Sequence, residues 1–203
     1  MSQGIATKVM TKEVRLGYVH LVEPYAAPNQ PGAEPKYSVM LLIPKTDTAT
    51  KADIDASIKA AYEQGVNDKW KGARPQMVNA LIYDGDGLKR DGTPYGPECK
   101  GCWVLNARTK TKPQVVHISN PSVELAPQDI YSGMYARVSI NFYPFTGQQK
   151  GVAAGLSNVF KTREGEPLMG GASAASEFEG IAAEYAGSDL PQAVNPITGE
   201  PLF

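Results

Sequence analysis

Basic residues are missing from positions 164–203, since all twenty Lys and Arg side chains lie between Lys8 and Arg163. Cysteine is nearly absent as well. Cys99 and Cys102 alone cannot staple a secreted disulfide scaffold, which points to a reducing compartment. No apolar run approaches the roughly 18 to 20 residues that span a bilayer, and Met1-Ser2-Gln3-Gly4 opens without the basic and apolar regions of a secretory signal. The expectation is a cytoplasmic chain with no membrane partner. A phosphate-cradling G-x-x-x-x-G-K-[ST] loop is also lacking, as is any carboxylate cluster suited to two metals. His20 and His117, the only histidines, fall on β-patterned segments with no Ser or Cys arrangement around them that implies catalysis. Neither an enzyme nor a cofactor is expected.

Two local motifs invite a metal and fail on inspection. Cys99-Lys100-Gly101-Cys102 has the spacing of half a zinc site or of a thioredoxin-type pair, but there is no second pair and no βαβ context. Asp84-x-Asp86 opens like a calcium loop, yet Leu88 occupies the third ligand position and Tyr95 stands where the closing acid belongs. The first is read as structural or incidental thiols and the second as a turn.

What is present is a division of charge. Residues 1–163 carry 20 basic and 14 acidic side chains, a net of +6, whereas Glu164, Glu166, Glu177, Glu179, Glu184, Asp189 and Glu200 give residues 164–203 a net of −7. The overall −1 conceals both. A length of 203 residues allows one ordinary domain, here 1–163, followed by a Gly/Ala/Ser-rich acidic C-terminal tail, 164–203. A basic body with an acidic tail is the layout of a polyanion binder that carries its own weak competitor. A solvated surface with a disordered terminus is the alternative.

Period-2 segments dominate the body and predict a mainly β fold, a barrel of short strands with one inserted helix. In 12–22, alternation puts Val14, Leu16, Tyr18 and Val22 on one face. Strands are expected over 37–43, 78–83, 102–108, 115–118 and 134–143, and the proline-rich stretch 23–35 reads as a projecting loop. Thr50 and Asp53 suggest a capping box for a helix whose stripe is Ile54, Ile58, Tyr62 and Val66. In 102–110, Trp103, Leu105 and Ala107 face one way and Asn106, Arg108 and Lys110 the other. In 135–143, Ala136, Val138, Ile140 and Phe142 oppose Tyr135, Arg137, Ser139, Asn141 and Tyr143. The same count assigns Tyr18, Trp103 and Phe142 to the core.

Aromatic and basic side chains interleaved on outward strand faces suit a single nucleic-acid strand. Exposed bases stack on rings for roughly 1 to 3 kcal/mol each, while Lys and Arg release counterions from the phosphates. The nucleic-acid-binding candidates are Arg15, Lys36, Tyr37, Arg108, Lys110, Lys112, Tyr135, Arg137, Tyr143 and Lys150.

The stretch Tyr131-Ser132-Gly133-Met134-Tyr135, Phe142-Tyr143, and Lys150-Gly151-Val152-Ala153-Ala154-Gly155-Leu156 resembles a family of bacteriophage single-stranded DNA-binding proteins long of unknown function. Asp84-Gly85-Asp86-Gly87, Asn106-Ala107-Arg108, Gly165-Glu166-Pro167-Leu168 and Phe178 extend the resemblance over about residues 10 to 180. It implies a five-stranded OB-fold barrel that coats single-stranded DNA during phage replication, recombination or repair in an infected bacterial host, without catalytic residues. The alternative class is a β-barrel interaction or virion-associated protein that binds no DNA. The sequence leaves open whether the chain is a monomer or a homodimer.

The ending Glu200-Pro201-Leu202-Phe203 is similar to the acidic, Phe-terminated tails of bacterial and phage single-stranded DNA-binding proteins, although its acids are sparser. These four residues are the candidate partner-binding site for a polymerase, primase or helicase. A competing reading makes Phe178, Ile181, Ala182 and Tyr185 one face of a short helix packed on the body. The free-tail reading predicts that removing 187–203 raises affinity for single strands, most at low salt. Deleting Phe203 alone should leave DNA affinity constant and abolish capture of a replication partner. Paired titrations and pull-downs check both, and weaker DNA binding on tail removal contradicts the free-tail reading.

Overall fold

The computed structural model describes residues 7–26, 32, 34–77, 80–147 and 149–168. The strands are β1 (Lys8–Met10), β2 (Val14–Tyr25), β3 (Lys36–Pro44), β4 (Ile82–Asp84), β5 (Cys102–Thr109), β6 (Val115–His117), β7 (Asn120–Glu124), β8 (Tyr135–Phe145) and β9 (Gly151–Arg163). Helix α1 (Thr48–Gln64) continues into a wider helical turn, Gly65–Lys69.

Five of these strands form a ring of pairings. β2 pairs antiparallel with β3, β3 with β5, β8 with β9 and β8 with β2, and a parallel contact of β5 with β9 completes the circuit. β1 adds to β8, β4 to β5, and the β6–β7 hairpin to β9. Alternating side chains fill the core: Leu16 of β2, Val39, Leu41 and Ile43 of β3, Leu105 and Ala107 of β5, and Ala136, Val138, Ile140 and Phe142 of β8 are all buried. The core assignment of Phe142 is thereby confirmed, and Trp103 packs half-buried against the same cluster.

Tyr18 departs from its expected place. Gly17 pairs with Met40 but His20 pairs with Ser38, so β2 carries one extra residue between them. Tyr18 occupies that bulge at φ 45°, and the inward face shifts from Leu16 to Leu21. The ring therefore stands outside, 63% exposed, rather than in the core.

Asp47, not Thr50, caps α1: its Oδ1 accepts the Thr50 amide at 3.1 Å, while Thr50 Oγ1 accepts the Lys12 amide at 3.2 Å. The expected stripe is present, with Ile54, Ala61, Val66 and Trp70 buried and Ile58 and Tyr62 packed beside them. It lies against β1, β8 and β9. Trp70 Nε1 donates to the Phe145 carbonyl at 3.1 Å and Lys69 Nζ to that of Pro144 at 3.0 Å, which fixes the end of β8 from behind.

The Tyr131-Ser132-Gly133-Met134-Tyr135 stretch is a clasp. Ser132 Oγ accepts the Val19 amide at 3.0 Å, and the Ser132 carbonyl accepts the Leu168 amide at 2.8 Å. The Tyr131 hydroxyl donates to Glu164 at 2.6 Å and accepts the Gly165 amide at 3.1 Å. Beside it, buried Lys161 reaches Glu164 at 2.7 Å and the Asp129 carbonyl at 2.8 Å. Hydrogen bonds from Lys161 and Tyr131 hold the Glu164 carboxyl below its ordinary range. The clasp binds 164–168 to the ring, and the compact unit runs to Leu168. The Glu200-Pro201-Leu202-Phe203 end and the segment 178–185 lie outside the described residues, as do Val78 and Asn79 of the expected strand 78–83.

Gly133 sits at φ +115°, where an added Cβ would lie 2.1 Å from the Glu166 carbonyl oxygen; Gly101 sits at φ +69° in open space. Gly101→Ala should therefore lower stability by about 1 to 2 kcal/mol, the cost of the left-handed backbone alone. Gly133→Ala should cost clearly more, because the clasp must also open. Urea unfolding of the two variants compares them, and equal losses would contradict the clasp.

Candidate nucleic-acid interface

Two adjoining clefts, of about 420 and 530 Å³, lie on the outer face of the ring and share the wall Lys36, Asn106 and Arg108. Register places that wall. Ser38 of β3 pairs with Arg108 of β5 and Met40 with Asn106, so the outward residues of the two strands form one band. Arg108 also pairs with Gly155, which joins the band to β9.

The smaller cleft continues over β2 to Tyr18, His20, Tyr25 and Glu34. The bulge that expels Tyr18 makes this wall, and the His20 and Tyr25 rings stack at 4.4 Å with 8° between their planes. The larger cleft is bounded by Tyr83, Arg90, Tyr143, Phe145 and Lys150. The lining holds four cations, Lys36, Arg90, Arg108 and Lys150, against one carboxylate, Glu34. Glu34 is itself paired with Lys110 at 2.5 Å, and that hydrogen bond lowers its pKa. Arg90, Arg108 and Lys150 make no hydrogen bond or ion pair with a described residue. Their charge is available to a polyanion, whereas most other cations of the body are already committed.

Tyr143 and Phe145, 42% and 37% exposed, come from the last residues of β8. Tyr143 lies across Gly155 and Phe145 across Gly151: a Cβ added there would fall 3.0 Å from the Tyr143 ring and 3.1 Å from the Phe145 ring. The Lys150-Gly151-x-x-x-Gly155 spacing thus has a physical meaning. Each glycine leaves room for a ring from the neighbouring strand.

Of the residues nominated from the sequence, Lys36, Arg108, Tyr143 and Lys150 line the clefts. Lys110 is at the rim through Glu34, exposed Lys112 follows β5, and Tyr37 is half-buried opposite Thr109. Arg15, Tyr135 and Arg137 line neither cleft. Arg15 donates to the carbonyls of Gly133 and Glu166, Tyr135 lies under Arg163 at 3.4 Å, and Arg137 Nε donates to the Thr11 carbonyl at 2.9 Å. Arg137 and Tyr143 share a strand face but stand roughly 20 Å apart, six residues along an extended chain.

Tyr18, His20, Tyr25, Arg90, Asn106 and Phe145 line the clefts without having been nominated. Asn106 was assigned to the basic face, and Phe145 lay just past the expected strand end. Tyr25 fell in the stretch expected as a loop and Arg90 outside every expected strand, and the bulge at Tyr18 left no trace in the alternation.

The two cysteines are free. Burial, with Glu98 nearby, pushes the Cys99 thiol up to about 11, and burial raises Cys102 as well. Asp84 and Asp86 both hold Lys45 at 2.6 Å in a turn. Among the described residues no three His, Cys, Asp or Glu side chains come together as a metal site.

The strand ring carries an aromatic and cationic outer groove, and comparison with known proteins gives the family. Residues 7–189 match the family described as Enterobacter phage Enc34, ssDNA-binding protein, and the chain belongs to that family. The single-stranded DNA-binding protein from bacteriophage Enc34 in complex with ssDNA is similar at 32% identity and a TM-score of 0.68, covering 80% of this chain and 90% of that one. A putative protein p50 of Acyrthosiphon pisum secondary endosymbiont phage 1 is 30% identical over 179 residues, 84% of this chain and 91% of its own length. The gp2.5 single-stranded DNA-binding protein encoded by bacteriophage T7 shares the fold at a TM-score of 0.55 and 12% identity, covering 82% of this chain and 97% of that one.

Proposed function

We propose that this protein binds single-stranded DNA, without catalysis or sequence preference, along the groove that joins the two clefts. The observation that carries the reading is the shared wall of Lys36, Asn106 and Arg108, with exposed rings on both sides of it and the uncommitted Arg90 and Lys150 on the larger cleft's side. Phosphates meet the cations while unpaired bases find π-faces at Tyr18, Tyr143 and Phe145, and neither contact reads a base edge. Family membership supports the same activity. The ring of β2, β3, β5, β9 and β8 is read as a five-stranded OB-fold barrel, with the DNA-binding body at 1–163 and the acidic tail at 164–203. No helix of the described residues is long and apolar enough to cross a membrane.

In this reading the protein coats single strands in phage replication, recombination or repair within the cytoplasm of an infected bacterium. Glu200, Pro201, Leu202 and Phe203 recruit a replication partner. Arg15, Tyr135 and Arg137 serve the fold, and Lys110 and Lys112 extend the groove's positive rim.

Anisotropy titrations with fluorescent oligo-dT at several salt concentrations test this. Affinity should fall linearly in log salt, by about 0.7 per phosphate neutralised. Arg108→Ala should weaken binding and shallow that slope by about 0.7, while Arg137→Ala should leave both nearly unchanged. A loss at Arg137 with none at Arg108 would move the site to the other end of β8. No binding by the parent would favour the protein-docking alternative.

A further inference from the structure

We propose that Gly151 and Gly155 are positioning residues for nucleic-acid binding: they seat the Phe145 and Tyr143 rings close against β9 and so make a two-ring stacking platform. The inference rests on the groove reading above and assigns it a geometry. Tyr143 pairs with Ala153 and Phe145 with Gly151, yet the Tyr143 ring extends diagonally to Gly155, where an added Cβ would be 3.0 Å from its Cε1. A Cβ on Gly151 would be 3.1 Å from the Phe145 Cε1. Ordinary carbon contacts begin near 3.5 Å, so alanine at either position must lift the ring by a few tenths of an ångström. Neither glycine has a left-handed backbone, so clearance, and not chain conformation, is the constraint: under the Phe145 ring at Gly151, and at Gly155 under the Tyr143 ring and beside the Asn141 carbonyl oxygen, 3.1 Å from an added Cβ.

The platform is braced from behind. Trp70 Nε1 holds the Phe145 carbonyl, Lys69 holds that of Pro144, and Pro144 is buried. With the strand fixed, ring height depends on what lies beneath the ring. Residues i and i+2 on one strand face stand about 6.6 to 6.8 Å apart, a separation that two neighbouring bases reach once they unstack from each other. Lys150 and Arg108 flank the same cleft, where they can meet the phosphates between those bases.

A double-mutant cycle with oligo-dT tests the seat. Tyr143→Ala should weaken binding by about five- to 150-fold, the loss of one stacked base, and Gly155→Ala by about five- to tenfold through a misplaced ring. In the Tyr143→Ala background, Gly155→Ala should change affinity by less than about twofold, since only the Asn141 carbonyl contact remains and no ring is left to displace. The salt slope should stay constant throughout, because no cation is removed. Gly151→Ala with Phe145→Ala forms a second, independent cycle should the first variant melt below the working temperature.

Equal losses from Gly155→Ala in both backgrounds, or no loss in the presence of Tyr143, would overturn the proposal. Nitration of Tyr143 by tetranitromethane in the DNA-free protein reads the seat directly. Gly155→Ala should nitrate faster, and an unchanged rate would count against the seat whatever the DNA result. If the parent binds no oligo-dT, the groove reading fails, and the nitration arm still decides whether the glycines place the ring.

Discussion

Antiparallel pairing of β8 with β9, from Tyr135 opposite Arg163 to Phe145 opposite Gly151, is the contact on which the rest of this structure depends. It forms one side of the circuit of five strands and buries Ala136, Val138, Ile140 and Phe142 on its inner side. Its two ends differ in chemistry. At one, Arg163 covers Tyr135 and Lys161 secures Glu164, so residues 164–168 are bound to the ring. At the other, small residues of β9 let Tyr143 and Phe145 lie outward as open aromatic surface. One pairing thus carries a structural clasp and a candidate binding surface, separated along the strands.

Charge is sorted in the same way. Ion pairs and backbone hydrogen bonds occupy Arg15, Lys45, Lys51, Arg74, Arg137, Lys161 and Arg163, all in positions that brace loops, helix or clasp. Exposed ion pairs of this kind contribute little stability individually, typically under about 1 kcal/mol, but each carboxylate partner offsets the charge its cation would offer a ligand. Arg90, Arg108 and Lys150 have no such partner among the described residues. These three line the larger cleft, where their charge faces solvent and is open to screening by salt.

Much of this was legible in the sequence. Alternation located the core faces of β5 and β8, and the stripe from Ile54 to Val66 located α1. The resemblance carried by the Tyr131 and Lys150 stretches identified the family. Its motifs were visible before their purpose was. Tyr131 to Tyr135 proves to be a clasp, and Gly151 and Gly155 are clearances under rings. β9 itself was not anticipated as a strand, because Gly151, Ala153, Ala154 and Gly155 blur the alternation that marks strands, for the very reason that they must be small. β1 and β7 were missed as short segments with little pattern. The bulge at Tyr18 was invisible because a one-residue insertion reverses every later side chain without altering composition. Arg137 shows the complementary limit: alternation gave its outward face but not that the Thr11 carbonyl would take its Nε.

The central claim is that single strands run across the Lys36, Asn106 and Arg108 wall with bases on the flanking rings. Photo-crosslinking with oligonucleotides carrying 5-iodouracil at successive positions, followed by mass spectrometry of the adducts, tests it most directly. Adducts are expected at Tyr18, Tyr143 or Phe145, with Tyr135 unlabelled beneath Arg163. Adducts concentrated at Tyr135 and around Arg137, with the cleft rings unlabelled, would contradict it.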